Sequence, residues 1–204
     1  MKKVSILGAT GSIGKSTLDL IERTPEHFEV AALTAAVNVD ALASAARRTG
    51  AKLAVVADDS RLGELEAALQ GTDCQAAAGP DGVVGAALVD TDIVMAAIVG
   101  CAGLQPTMAA VEAGRTVALA NKEALVTAGG LMTEAAERSG ATLLPVDSEH
   151  NAIFQCLAGS RIDQVSRIIL TASGGPFRTA SAEWMRAATP AHAVAHPNWD
   201  MGAK

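Results

Sequence analysis

Two hydrophobic rhythms trade places along most of the chain: short unbroken apolar runs, and apolar positions three and four residues apart. Lys3–Gly8 is an apolar run that stops at a glycine, the pattern of a parallel strand buried on both faces. Ser12–Arg23 follows with Ile13, Thr17, Leu20 and Ile21 at helical spacing. The same reading predicts strands at Phe28–Leu33, Leu53–Ala57, Ile93–Ile98, Thr116–Ala120 and Thr142–Leu144. It predicts helices at Asp40–Arg48, Arg61–Leu69, Val83–Leu88, Leu104–Ala113 and Gly130–Ser139, two of them closed by Gly114 and Gly140 at C-terminal cap positions. Repeated alternation of this kind defines an α/β protein with a Rossmann-like, doubly wound, mostly parallel sheet. After about residue 150 the rhythm changes. Val165–Thr171 reads as a longer strand of mixed character, and Pro190–Lys204 as loop. We therefore divide the chain near Asn151: residues 1–150 form one domain, and 151–204 begin a second, α+β domain that stops before completing a core.

The turns between these elements carry the polar chemistry. Gly8-Ala9-Thr10-Gly11-Ser12-Ile13-Gly14 joins the first strand to the first helix in the spacing G-x-x-G-x-x-G. In that context Gly11 allows backbone to approach a pyrophosphate, Gly14 allows close helix–strand packing, and the helix start supplies N–H donors. Residues 1–150 are accordingly read as a dinucleotide-binding domain. The second strand ends in Ala35-Ala36-Val37-Asn38, with no acid to hold a free ribose diol, which leans away from NAD and toward NADP. No Arg or Lys stands in that turn to meet a 2′-phosphate.

Three further turns end strands at the same sheet edge. In Ala120-Asn121-Lys122-Glu123 the lysine is an ammonium that can face substrate; equally, Asn121 and Glu123 suit a helix cap and its first turn. Pro145 ends strand pairing before Val146-Asp147-Ser148-Glu149-His150. Asp147 and Glu149 are two carboxylates one residue apart, able to share a hard cation. The alternative there is a capped helix, with Asp147 or Ser148 as cap and the acids favoured by the helix dipole. Thr171-Ala172-Ser173-Gly174-Gly175 offers a hydroxyl and flexible N–H groups to a phosphate, or is simply a turn. His196-Pro197-Asn198-Trp199-Asp200-Met201-Gly202 reads as a lid with a glycine hinge, or as an ordinary tail. Pro190 and Pro197 argue against one helix carrying His192 and His196, so no two-histidine metal site is assigned. Cys156 lies in an apolar helical run and reads as core.

Composition narrows the classes. Half of the 204 residues are hydrophobic and 19% are charged, so the chain is globular rather than disordered. A net charge of −6 without a basic run, and 2% aromatic residues, leave neither a phosphate track nor a stacking platform, which argues against nucleic-acid partners. Met1-Lys2-Lys3-Val4 leads straight into a strand with no signal-peptide architecture, and the longest apolar stretch, Ile93 to Leu104, is too short to span a bilayer. Cys74, Cys101 and Cys156 make neither a disulfide framework nor a zinc spacing, which suits the cytoplasm. The absence of tyrosine excludes a short-chain dehydrogenase, whose acid is a tyrosine. A homoserine or semialdehyde type of dehydrogenase shares the glycine loop and an Asn-Lys pair but leaves the paired carboxylates and the Ser-Gly-Gly turn without a role. A catalytically silent dinucleotide-binding module is the alternative from outside the enzymes.

Taken together, the glycine loop, Met95-Ala96-Ala97-Ile98-Val99-Gly100, Ala120-Asn121-Lys122-Glu123, Pro145–Asn151, Ser173-Gly174-Gly175-Pro176-Phe177 and His196-Pro197-Asn198-Trp199 resemble the 1-deoxy-D-xylulose 5-phosphate reductoisomerase family over nearly the whole chain. The resemblance implies a homodimeric enzyme of non-mevalonate isoprenoid synthesis. Such an enzyme uses NADPH and Mg²⁺ or Mn²⁺ to convert 1-deoxy-D-xylulose 5-phosphate to 2-C-methyl-D-erythritol 4-phosphate. It assigns the cofactor to Thr10, Gly11, Ser12, Ile13, Asn38, Asn121, Glu123 and Gly202, and the metal to Asp147 and Glu149. Lys122, Ser148, Glu149, Ser173 and His196 would meet the sugar phosphate, Trp199 would close over it, and Lys122, Asp147, Glu149 and His196 would carry the catalysis. Two departures stand out. Ala36-Val37-Asn38 replaces the Gly-Lys-Asn common in the family, leaving the 2′-phosphate to backbone and Asn38. The chain also reaches only Lys204, short of further phosphate-binding residues and a third acidic metal ligand, so this stretch by itself is expected to be weakly active or inactive.

Overall fold

Leu7 is the last residue of the first strand, and Gly8 after it takes φ +87°, a backbone region costly for any side chain bearing a Cβ. A Cβ there would also lie 2.8 Å from the Ala97 carbonyl oxygen, so the turn needs glycine twice over. Gly14 is bound more tightly still: its Cβ would meet the Gly8 oxygen at 2.3 Å, so the first helix lies directly against the strand exit. These contacts come from a computed structural model, which describes residues 1–171 and 174–195.

Seven strands form one parallel sheet: β1 (Lys2–Leu7), β2 (Phe28–Ala35), β3 (Leu53–Val56), β4 (Gln75–Ala78), β5 (Ile93–Ala96), β6 (Thr116–Leu119) and β7 (Thr142–Pro145), in the order β4-β3-β2-β1-β5-β6-β7. The connecting helices are α1 (Ser12–Arg23), α2 (Val39–Thr49), α3 (Leu62–Ala68), α4 (Gly79–Leu88), α5 (Leu104–Glu112) and α6 (Glu123–Ser139). Successive strand residues point to opposite faces. Ile6 thus packs with Leu18, Leu42 and Leu65 of α1–α3, while Leu7 packs with Val83, Val111 and Met132 of α4–α6. Each such fully buried aliphatic side chain is worth about 1.5–3 kcal/mol. Many of the remaining core positions are alanine, which lets helices approach the sheet closely. Among the described residues no helix is long and apolar enough to cross a membrane.

The chain divides into two compact units, Met1–Asp147 and Ser148–Lys204. Within the second, α7 (Ser148–Leu157) is followed by α8 (Ala182–Arg186) and α9 (Pro190–Val194). Trp184 lies against both Phe177 and His192, with ring centroids 5.5 and 5.3 Å away and ring planes tilted by 56° and 31°.

Several sequence expectations are corrected. Val165–Thr171 is not a strand: among the described residues of this unit no strand offers a ladder, and Ile168, Ile169 and Leu170 are exposed. Cys156 is exposed rather than buried, because α7 carries no buried residue. Pro190 does not prolong a loop but starts α9 at a position where its missing N–H costs nothing, with Thr189 as cap. β4 is an added strand, and α6 begins seven residues before the predicted Gly130, its two parts joined at a non-helical Ala128.

Candidate functional site

Parallel pairing puts every strand's carboxyl end on one edge of the sheet. Loops after β1 and β5 leave in opposite directions, because chain order reverses between these neighbours, and a crevice opens there. The loop after β1 is held by Thr34, whose hydroxyl accepts the Gly8 N–H at 2.9 Å and whose carbonyl accepts the Ala9 N–H at 2.8 Å. α1 starts after Gly11 with no side chain capping it and no acid in its first turn. The first N–H groups of α1, around Ser12 and Ile13, have no side-chain cap.

The opposite wall depends on Asn121, which is buried just before α6. Its amide donates to the carbonyls of Ile98 at 2.6 Å and Gly100 at 2.7 Å, and its Oδ1 accepts the Glu123 N–H at 3.0 Å. Gly103 permits this clamp, since a Cβ there would lie 2.8 Å from the Ile98 oxygen. The resulting cavity holds about 610 Å³ and is mainly apolar. Gly8, Thr10 and Gly11 line one side, Ala35 and Ala36 another, and Ile98 and Val99 a third.

Toward the β2–β3 side, Asn38 is committed as the α2 cap, its Oδ1 accepting the Ala41 N–H at 3.0 Å. Arg61, from the single 3₁₀ turn Asp59–Arg61 after β3, donates through Nη1 to the Val37 carbonyl. Its Nε and Nη2 are held by Glu64 at 2.8 and 2.7 Å. The sequence reading missed this residue because it lies two strands away from the glycine loop; only its Arg-x-x-Glu spacing hinted at a fixed guanidinium. Beside it, the Ser60 hydroxyl, followed by the Ser60 N–H, holds the Asp58 carboxyl below the usual carboxylate range, with Arg61 adding a smaller pull.

At the same edge, Lys122 is the residue before α6 and Asp147 the residue after Val146, whose N–H is bound by the Leu119 carbonyl. β7 lies three strands from β1, roughly 14 Å at about 4.8 Å per strand. In the second unit, Ser148 and Glu149 line a separate cavity of about 240 Å³ with Ile153 and Ile169. Among the described residues no three His, Cys, Asp or Glu side chains are grouped to hold a metal ion. Ser173, His196, Trp199 and Gly202 lie outside the described residues.

A parallel sheet with a glycine turn and an apolar cavity at its switch point defines an α/β protein of the Rossmann type. Within that class the chain belongs to the 1-deoxy-D-xylulose 5-phosphate reductoisomerase family. The family model matches residues 4–129, and the model of its C-terminal domain matches residues 143–204. Relatives of that name from Zymomonas mobilis and Gluconobacter oxydans are 61% and 55% identical over the whole chain, which covers 52% and 50% of them. The Zymomonas mobilis enzyme solved in complex with NADPH superposes with a TM-score of 0.91 at 60% identity, over 96% of this chain and 52% of that one. A reductoisomerase solved with NADPH, fosmidomycin and magnesium gives 0.87 at 40% identity, over 99% and 52%. The chain spans about half the length of the curated relatives it matches.

Proposed function

We propose that this chain supplies the cofactor domain and the beginning of the catalytic domain, divided near Asn151, of a reductoisomerase. That enzyme converts 1-deoxy-D-xylulose 5-phosphate to 2-C-methyl-D-erythritol 4-phosphate and works as a cytoplasmic homodimer. The observation that carries the reading is the apolar crevice behind Gly8–Gly11 in a chain 61% identical to a named reductoisomerase. Thr10, Gly11, Ser12 and Ile13 hold the pyrophosphate of NADPH against the start of α1, and Asn38 and Glu123 flank the cofactor. Asn121 shapes the wall, and Gly202 belongs to the closing lid. NADPH supplies the hydride.

Asp147 and Glu149 present hard oxygen donors, a set that fits Mg²⁺ or Mn²⁺ better than a softer metal. When bound, such an ion polarises the substrate carbonyl. Lys122 adds positive charge beside the same oxygens, Ser148 and Ser173 hold substrate oxygens, and His196 and Trp199 cover the substrate and exclude water. A protein of the relatives' length carrying this sequence is expected to oxidise NADPH with 1-deoxy-D-xylulose 5-phosphate only when a divalent ion is present. Asp147→Asn should abolish turnover while NADPH affinity stays within a few-fold. Turnover that survives a chelator removes the metal from the reading; no oxidation under any condition overturns the reading itself.

A further inference from the structure

A dinucleotide in the crevice runs its adenosine ribose past the end of β2, where the side chain or charge beside the 2′ position sets the choice between a hydroxyl and a phosphate. Here that strand ends in Ala35-Ala36-Val37, which brings neither an acid nor a base. The charge arrives from the next strand instead. The Ala57 N–H is bound to the Ala35 carbonyl at 2.8 Å and the Asp58 N–H to the Ala36 carbonyl at 3.3 Å, so the exits of β2 and β3 are tied together. From the turn that follows, Arg61 reaches back onto the Val37 carbonyl.

Three of the five guanidinium N–H donors are committed, two to Glu64 and one to Val37. One remains on each Nη. Asp58, whose carboxyl feels the charge of Arg61, is turned into its own loop by Ser60, whose N–H and hydroxyl it accepts at 3.0 and 2.6 Å. A planar cation fixed on one flank by a carboxylate and beside the ribose loop by a carbonyl is preorganised for two-pronged contact with a phosphate.

We infer that Arg61 is the specificity-determining residue for a 2′-phosphorylated dinucleotide, bringing from the β3 exit the positive charge that Ala35, Ala36 and Val37 lack. The inference rests on the cofactor reading proposed above and adds the residue that sets its phosphate preference. Glu64 offsets part of the charge, so the expected discrimination is moderate.

The test titrates the 204-residue chain with NADPH and with NADH, following nicotinamide fluorescence, with a melting curve on each variant as the check of folding. The unaltered chain should prefer NADPH. Arg61→Gln should weaken NADPH about tenfold, the loss of one charged hydrogen-bonding partner, and leave NADH within about twofold. Arg61→Lys, which keeps the charge and loses the fork, should fall between. Equal changes in both affinities, or none in either, overturn the role of Arg61 while the dinucleotide site stands. Binding of neither cofactor by the unaltered chain overturns the cofactor reading and this inference with it.

Discussion

Asn121 illustrates how one buried amide can be read in two ways. Its position after a strand at the ligand edge suggests a cofactor contact, yet the three hydrogen bonds of its side chain run to the protein's own backbone. Those bonds hold the loop that forms one wall of the crevice, so Asn121 fixes that wall through Ile98 and Gly100. Asn121→Ala leaves two carbonyls and one N–H without partners, and each such buried group costs about 1–3 kcal/mol. The expected result is a loss of at least about 2 kcal/mol in urea unfolding, together with weaker NADPH binding. Unchanged stability with weakened binding would return Asn121 to direct contact. Nothing in the sequence distinguishes the two roles, because the partners lie 21 and 23 residues away in the chain.

At the level of whole elements, what was legible depended on the size of the side chains. β1, β2 and α1 announce themselves through Ile, Leu and Val in clear periods, and the glycine turn between β1 and α1 marks the crevice directly. β4 was invisible because Gln75-Ala76-Ala77-Ala78 has low strand propensity and ends a sheet edge, where only pairing with β3 makes it a strand. The first turns of α6 were hidden because Gly129-Gly130 have low helix propensity and interrupt the helical pattern. The structure does break there, but only at Ala128, and the chain is helical on both sides. A Cβ at Gly130 would meet nothing within 4 Å. Gly130→Ala should therefore stabilise the fold by about 0.4–1 kcal/mol, by restricting the unfolded chain and raising helix propensity. Chemical denaturation checks it; a loss of stability would mean that the bend at Ala128 requires the flexibility of glycine behind it. Val165–Thr171 failed for the reverse reason: its residues favour a strand, but a strand exists only where another offers its edge.

On the scale of the whole molecule, stability and function are unevenly distributed. Every buried hydrophobic side chain among the described residues lies between Val4 and Ala135, and α7, α8 and α9 contain none. Hydrophobic burial is the dominant favourable term in folding, so the free energy that holds this chain together resides in Met1–Asp147. The crevice, its glycine turn, the Asn121 clamp and Arg61 all belong to that unit. The cavity lined by Ser148 and Glu149 belongs to the other. Cofactor binding and substrate chemistry should accordingly separate. A chain ended at Asp147 is expected to unfold in one cooperative transition within a few degrees of the 204-residue chain, and to bind NADPH within about threefold of it, a factor worth less than 1 kcal/mol. Calorimetry and fluorescence titration measure both. If the shortened chain melts broadly or loses the cofactor, the second unit contributes to the first in a way that burial does not reveal, and the polar residues after Asp147 must be counted as part of the dinucleotide site.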